Sequence, residues 1–161
     1  MYRPDLVDVW VFRDGAGGPE VLLMRRAPGR VLPGLWQGVS GTLEPDERVV
    51  EGAMRELVEE TGFARPTVEA FFDLDLVNQF HYSGADAVMT AAVFAARIVP
   101  DAEPVLSHEH DAARWLALPA ALAEVVWPGY REAIRRIGED LLDPGRARWF
   151  EIAPDGLNVI R

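Results

Sequence analysis

Apolar residues recur along the chain with two spacings, and each spacing predicts a different kind of element. Alternating runs predict β-strands, and the first two, DLVDVWVF and EVLLMRR, flank the glycine-rich segment DGAGGP, which is typical of a hairpin turn. The other runs with strand character are WQGVSG, TVEAFFDLDLVNQFHY, ADAVMTAAVFAARIV and RWLAL. The longest mainly apolar stretch, residues 87–96, has half the length of a membrane span of roughly 20 residues, so we predict a buried strand there.

A helical spacing begins after Pro45-Asp46-Glu47, which is a start signal for a helix, and it closes near Gly62. The apolar face of this helix consists of Val50, Ala53, Met54 and Leu57, at offsets of three, four and seven. Two later helices, residues 118–126 and 130–142, are predicted on either side of Trp127-Pro128-Gly129, where proline and glycine prevent simple continuation. Strands interleaved with helices in unequal runs predict an α/β fold, a mixed sheet covered by helices.

The length and composition of the chain narrow this picture. With 161 residues, of which 49% are hydrophobic and 26% charged, the chain is predicted to be one globular domain, residues 1–161. Residues 145–161 are predicted to add a C-terminal hairpin that turns at Asp155-Gly156. The N-terminus lacks a basic leader followed by a long apolar run, so no signal peptide is predicted.

Charge and cysteine content exclude several classes of function. A net charge of −10 repels polyphosphate backbones and anionic lipid, so we expect neither nucleic-acid nor membrane partners. The absence of cysteine removes disulfides, thiolate metal sites and thiol nucleophiles, and it fits a reducing cytoplasm. A small anionic substrate therefore needs local cations, either side chains or bound metal ions. A homodimer is left open.

Three acids of the first predicted helix fall within five positions. At about 100° per residue, Glu56, Glu59 and Glu60 share a quarter to a third of the helix circumference, although like charges at this spacing cost a few tenths of a kcal/mol. One interpretation is a solvated acidic face that an Arg55–Glu59 pair partly relieves. The other is a divalent cation site, because carboxylate oxygens are the ligands that Mg²⁺ or Mn²⁺ prefers.

The spacing around these acids decides between the two interpretations. After Gly41 come five residues and Glu47, then seven residues and Arg55-Glu56-Leu57, then one residue and Glu59-Glu60, then one residue and Gly62-Phe63. This pattern resembles the signature of the Nudix hydrolases at every defined position. The resemblance implies a loop-helix-loop motif on an α/β/α sandwich with a mixed sheet. It also implies a Mg²⁺-dependent enzyme, with Mn²⁺ as a substitute, that cleaves a diphosphate linked to another group.

The resemblance also implies roles for individual residues of the motif. Glu56 and Glu60 would be metal ligands, and Glu59 would be a further ligand or lie near the attacking water. The backbone near Ser40 and Gly41 would complete the metal sphere.

Arg55 and Glu47 would form an orienting pair, since a guanidinium fork holds carboxylates rigidly through paired hydrogen bonds. Outside the helix, Glu109 would be an extra metal ligand or the general base, with an ordinary loop glutamate as the alternative. A zinc protease site at His108-Glu109-His110 is excluded because H-E-x-x-H requires histidine where Ala112 stands.

Substrate choice is expected to depend on residues outside the motif. The segments LWQGVSG and LSHEHDAARWLALPAALAEVVWPGYREAI are similar to the branch that contains dihydroneopterin triphosphate and dATP pyrophosphohydrolases, and the later one also resembles the asymmetric dinucleoside tetraphosphate hydrolases. Arg25 and Arg26 are candidates to contact phosphate, or else surface charges. The candidates to stack on a base or pterin are Trp36, Phe80 and Tyr82, and those to read its polar edge are Asn78 and Gln79.

These observations predict a hydrolase for a nucleoside or pterin triphosphate, with an asymmetric dinucleoside tetraphosphate hydrolase as the alternative. A non-catalytic nucleotide-binding regulatory module is an alternative of another class. Such a module is expected to have lost motif carboxylates, and this chain has all of them. The isopentenyl diphosphate isomerases resemble the same fold but use a cysteine, which this chain lacks.

Overall fold

The structure, a computed structural model, describes residues 2–153 and Gly156. A seven-stranded mixed sheet lies at its centre. The strands are β1 (Leu6–Gly15), β2 (Gly18–Arg26), β3 (Trp36–Gln37), β4 (Val39–Thr42), β5 (Val68–Tyr82), β6 (Ala87–Ile98) and β7 (His110–Ala117). The main path runs β3-β2-β1-β6-β5, while β4 pairs with β1 and β7 pairs with β2. Only β1 and β6 pair in parallel among the described strands.

Helices cover both faces of this sheet. The helices are α1 (Val49–Thr61), α2 (Leu118–Glu124), α3 (Pro128–Arg136) and the short α4 (Pro144–Ala147). Along β1, Val7, Val9 and Val11 pack with α1 on one face, while Trp10 and Phe12 pack with α3 on the other. This alternation builds two cores from one strand. The α/β/α sandwich with a mixed sheet that the sequence predicts is confirmed.

Several predicted helix ends need correction. Helix α1 begins at Val49, not near Pro45, because Asp46 has a left-handed backbone with φ of 64° and cannot continue a helix. The two predicted later helices are present, but α2 ends at Glu124 and α3 begins at Pro128 itself, since proline is well suited to the first helical position. The helical hydrogen bonding of α3 then widens into a π-turn at Ile137–Leu141.

The predicted C-terminal hairpin is only partly covered by the structure. Residues 144–147 are helical, which is not the strand that the prediction placed there. Further on, Glu151 forms an isolated antiparallel bridge with Phe72 of β5. The predicted turn residue Asp155 and residues 157–161 lie outside the described part. No helix in the described part has the length and apolar character that crossing a membrane requires.

Candidate active site

Helix α1 separates its three clustered acids into different environments. Ala53 and Leu57 are fully buried against the sheet, and the same packing draws Glu56 and Glu60 inward, to 9% and 3% exposure. Glu59 stays outside, with 57% of its side chain exposed. The acids therefore form two buried carboxylates and one at the rim.

Burial changes the acidity of the two inner carboxylates. It raises the pKa of Glu60 to about 8, and the nearby negative charge of Glu56 adds to the shift. The backbone N–H of Ser40 donates to Oε2 of Glu60 over a long 3.4 Å, which opposes the shift only weakly. Burial also raises the pKa of Glu56, although Arg55 works against this. Metal-free protein therefore holds excess negative charge here as the pH rises.

Strand β4 lies directly against these acids. A Cβ atom added to Gly41 would stand 1.9 Å from the carboxylate carbon of Glu56, so this position has space only for glycine. The backbone of Ser40 contacts Glu60 through the hydrogen bond described above. Both backbone positions that the sequence suggested as part of a metal site therefore border the buried carboxylates.

Arg55 connects the loop before the helix to the acid cluster. Its Nε and Nη2 donate to the two oxygens of Glu47 at 2.8 and 3.0 Å, and its Nη1 donates to Glu56 at 2.7 Å and Glu59 at 3.3 Å. Nη2 also donates to the carbonyl of Thr42 at 3.1 Å. Hydrogen bonding to Arg55 lowers the pKa of Glu47. One guanidinium thus fixes the positions of the helix, the loop and β4 relative to one another.

Replacing Arg55 by lysine is expected to lower kcat/KM by roughly 10- to 100-fold, the usual effect of losing an outer partner of a metal ligand. An ammonium group keeps the charge but cannot hold Glu47 and Glu56 with separate, planar donors. Steady-state kinetics over a Mg²⁺ titration checks this. Arg65→Lys is a matched control, because no ion pair is seen for Arg65 in the described residues. Equal kinetics for the Arg55 variant and wild type would contradict the orienting role.

The donor set fits a divalent cation electrostatically. Two buried carboxylates with raised pKa values, only one of them paired with an arginine, are stabilised by a cation with two positive charges. Carboxylate and carbonyl oxygens are also the ligands that Mg²⁺ prefers. No three His, Asp or Glu side chains of the described residues form a ready-made metal site. The acid cluster therefore suits a divalent cation through its charge and the type of its donor atoms.

Two further charged groups reach the cluster from the loops. The charge of Glu109 raises the pKa of both Glu56 and Glu60, which places it near them. Its backbone carbonyl accepts from the Ala27 N–H at 2.9 Å and ties its loop to the one after β2. Arg26, at the end of β2 where the next loop begins, lowers the pKa of Glu60, and its Nε donates to the carbonyl of Val31 at 2.5 Å.

Arg25 and Trp36 lie in a different environment from Arg26. Arg25 pairs with Asp111 at 2.8 and 3.2 Å, and its guanidinium stands 5.8 Å from the ring centre of Trp36. Arg114 also lies over Trp36, at 4.6 Å. Trp36 is thus already stacked by arginine, and Arg25 is already paired with a carboxylate.

The other candidate substrate residues follow one face of β5. Asn78, Phe80 and Tyr82 alternate along the strand, so their side chains point the same way. Phe80 and Tyr82 are 45% and 46% exposed, which leaves both rings free to stack on a ligand. Asn78 donates from Nδ2 to Oδ2 of Asp8 at 3.0 Å, and Gln79 is exposed on the opposite face.

Sequence reasoning missed Asp8 and Tyr130. Asp8 is 5% exposed, its pKa is raised by burial, and its side chain hydrogen bonds with Ser40 and Asn78. Tyr130 packs edge-on against Trp10, with ring centres 5.1 Å apart. Burial raises the pKa of Tyr130, and the charge of Asp8 adds to this. The signal for Asp8 was available, because it shares the core-facing register of Trp10 in DLVDVWVF.

A buried polar pair supports the start of β7. His110 is 5% exposed, and its Nε2 lies 3.3 Å from Nε2 of Gln37. Burial lowers the pKa of His110, so this imidazole is neutral near pH 7. The structure places this histidine at the first position of β7, next to Glu109.

The fold and the acid cluster define a class of protein. The NUDIX domain matches residues 3–137, and the chain belongs to this family. Octanoyltransferase of Myxococcus xanthus is 41% identical over 123 residues, which is 74% of this chain and 33% of that protein. The chain therefore spans about a third of that relative, whose name describes a longer protein.

Solved structures of the family are similar in fold. A NUDIX hydrolase described as putative, from Listeria monocytogenes, has a TM-score of 0.73 at 24% identity and covers 87% of this chain and 95% of its own. Dihydroneopterin triphosphate pyrophosphohydrolase of E. coli has a TM-score of 0.70 at 26% identity, with 83% and 94% covered. Ap4A hydrolase of C. elegans has a TM-score of 0.70 at 21% identity, again with 83% and 94% covered. The chain thus has the domain of this family and the fold of these solved structures.

Proposed function

We propose that the chain is a Mg²⁺-dependent pyrophosphohydrolase that cleaves a nucleoside or pterin triphosphate at a diphosphate linkage, with water as the nucleophile. The observation that carries the proposal is the burial of Glu56 and Glu60 on one helix, where the charge of Glu56 disfavours ionisation of Glu60. Such an arrangement is costly without a cation. It becomes favourable when a divalent metal and a phosphate chain bind.

Each residue of the site has a role in this proposal. Bound Mg²⁺ supplies the positive charge that phosphoryl transfer requires and makes a water more acidic. Glu56 and Glu60 hold the metal, next to the backbone of Ser40 and Gly41. Glu59, which is exposed and lies 3.3 Å from Arg55, borders the position of the attacking water.

Two residues outside the helix complete the site. Glu109 accepts the proton of the attacking water, because its charge already acts on both inner carboxylates. Arg26, whose charge acts on Glu60, binds a phosphate oxygen. Arg25 remains a candidate phosphate ligand, but its ion pair with Asp111 must break before it can bind phosphate. The aromatic rings of Phe80 and Tyr82 are exposed and suited to stacking on a base or pterin.

The substrate class is tested by its products. The protein is incubated with Mg²⁺ and dATP, dGTP, dihydroneopterin triphosphate or diadenosine tetraphosphate, and products are separated by anion-exchange chromatography. We expect pyrophosphate and a monophosphate from the triphosphates, no turnover with EDTA, and recovery with Mn²⁺. Release of ATP and AMP from diadenosine tetraphosphate, with slow cleavage of the triphosphates, supports instead the dinucleoside tetraphosphate hydrolase.

A non-catalytic nucleotide-binding module is the candidate from another class. Tight nucleotide binding without turnover under any divalent metal would support it. The retention of all motif carboxylates, and of the Arg55–Glu47 pair that orients them, favours the enzyme. A cytoplasmic location and a homodimer stay predictions of the proposed function.

A further inference from the structure

Asp8 is a buried carboxylate with few partners. It lies on β1, on the face that packs with α3, is 5% exposed, and hydrogen bonds with the side chains of Ser40 and Asn78. It forms no ion pair among the described residues. A carboxylate offers about four acceptor positions, so two remain after these partners are counted. A buried carboxylate with unfilled acceptor positions is stabilised by a ligand that brings additional N–H donors.

Asn78 orients the carboxylate of Asp8. Because Nδ2 of Asn78 donates to Asp8, the amide is oriented and its Oδ1 is left as an acceptor. The N-terminus of α3 covers this oxygen closely, since a Cβ on Gly129 would stand 2.1 Å from it. Gly129 therefore leaves the space that the amide needs, and Asn78 holds the carboxylate of Asp8 in one orientation.

Tyr130 places a donor beside these acceptors. Its ring packs against Trp10, which lies two residues after Asp8 on the same face of β1, so the phenol stands on the side of the sheet that Asp8 faces. The hydroxyl forms no hydrogen bond with another described residue. The ring is held by its edge-on contact with Trp10, so the hydroxyl has a defined position.

We propose that Asp8, Asn78 and Tyr130 read a ring edge that carries an exocyclic amine, a ring N–H and a carbonyl oxygen in a row, as guanine and the pterins do. The amine and the ring N–H donate to the two carboxylate oxygens of Asp8, which Asn78 orients, and the carbonyl accepts from the Tyr130 hydroxyl. This inference rests on the proposed function and narrows its substrate class. Adenine is disfavoured, because its ring nitrogen turns a lone pair toward the carboxylate of Asp8.

Asp8, Asn78 and Tyr130 together form what we call the base reader. Its position suits a triphosphate bound at the acid cluster. Ser40 bonds with Asp8 through its side chain and with Glu60 through its backbone, so the reader and the cluster share a residue. Phe80 lies on the same face of β5 as Asn78, with its ring exposed beside the reader. A planar ring can therefore meet the polar edge and an aromatic surface together.

The test compares GTP with ITP, which differs only in lacking the exocyclic amine. We expect wild-type kcat/KM to be roughly 10- to 100-fold higher for GTP, the usual effect of one hydrogen bond to a charged acceptor. Asp8→Asn, which turns an acceptor into a donor, is expected to bring the GTP/ITP ratio close to one. Tyr130→Phe is expected to lower both values and keep the ratio, because both bases carry the carbonyl.

The controls distinguish a failure of the base reader from a failure of the proposed function. Asp101→Asn changes an exposed acid on the loop after β6 and is expected to leave the ratio unchanged. Equal wild-type turnover of GTP, ITP and ATP overturns the reader and leaves the proposed function intact. No turnover of any triphosphate with Mg²⁺ overturns both. The wild-type ratio and the Tyr130 variant decide the matter even when Asp8→Asn does not fold.

Discussion

Replacing Glu60 by glutamine is expected to lower kcat by about a thousandfold or more, because the change removes a buried carboxylate that holds the metal. Glutamine has nearly the same shape and fits the same space between α1 and β4. The loss therefore reports on charge and not on packing. Single-turnover kinetics under saturating Mg²⁺ measures it, and turnover like that of wild type would show that the site is misplaced.

The same variant is expected to be more stable than wild type without metal. The folded-state pKa of Glu60 is about 8 against an ordinary value of 4.5, so wild type loses stability as the pH rises through this window. Glutamine cannot ionise and avoids this loss, which is on the order of a few kcal/mol above pH 8. Denaturant unfolding at pH 5 and pH 9 with EDTA measures the difference.

Magnesium should reverse that order of stability. Wild type binds the metal in its folded state and gains stability, while the Glu60 variant gains little. Glu69→Gln is a matched control, because Glu69 is exposed and forms just a weak ion pair, in which Oε2 lies 3.7 Å from Nε of Arg97. The control is expected to keep both the activity and the pH dependence of wild type. A Glu60 variant that is no more stable at pH 9 would contradict the burial argument.

Replacing Gly41 by alanine is expected to lower kcat/KM by roughly a hundredfold, comparable to the strongest effects of changes beside a metal ligand. The new methyl group would occupy the space of the Glu56 carboxylate, which lies 1.9 Å from the position of the added Cβ. Either the carboxylate or β4 must then move. The expected signature is weaker Mg²⁺ dependence of activity, measured by titrating the metal at fixed substrate.

A second glycine provides the control for this experiment. Gly17 lies in the turn between β1 and β2, and a Cβ added there meets nothing within 4 Å. Gly17→Ala is therefore expected to keep wild-type activity and metal dependence. If Gly41→Ala behaves in the same way, the close approach of β4 to Glu56 does not matter for function.

Much of the fold could be predicted because its signals are local. The hairpin of β1 and β2 follows from two alternating runs around glycines, and the end of α1 follows from Gly62, which has a left-handed backbone with φ of 73°. The start of α1 was placed too early. Pro45 and Asp46 are typical of helix starts and of turns alike, and the backbone of Asp46 takes the turn.

The residues of the candidate site also fall into two groups, those that local sequence signals predict and those that only the fold brings together. The motif residues of α1 are close in sequence, so helical periodicity places them together without knowledge of the rest of the chain. Asp8, Asn78 and Tyr130 lie on β1, β5 and α3, and only the sheet order and the packing of α3 bring them together. A pattern of residue types carries no information about such long-range contacts.

The sequence by itself determined the family resemblance, the helix with its acids and the type of cation that suits them. Periodicity and spacing act within one element, where neighbours along the chain are neighbours in space. Only the tertiary structure decided which acids are buried, that the Glu56 carboxylate lies against position 41, and that a carboxylate of the first strand is buried beside Ser40. These properties depend on which surfaces exclude water, and that exclusion arises when distant segments pack.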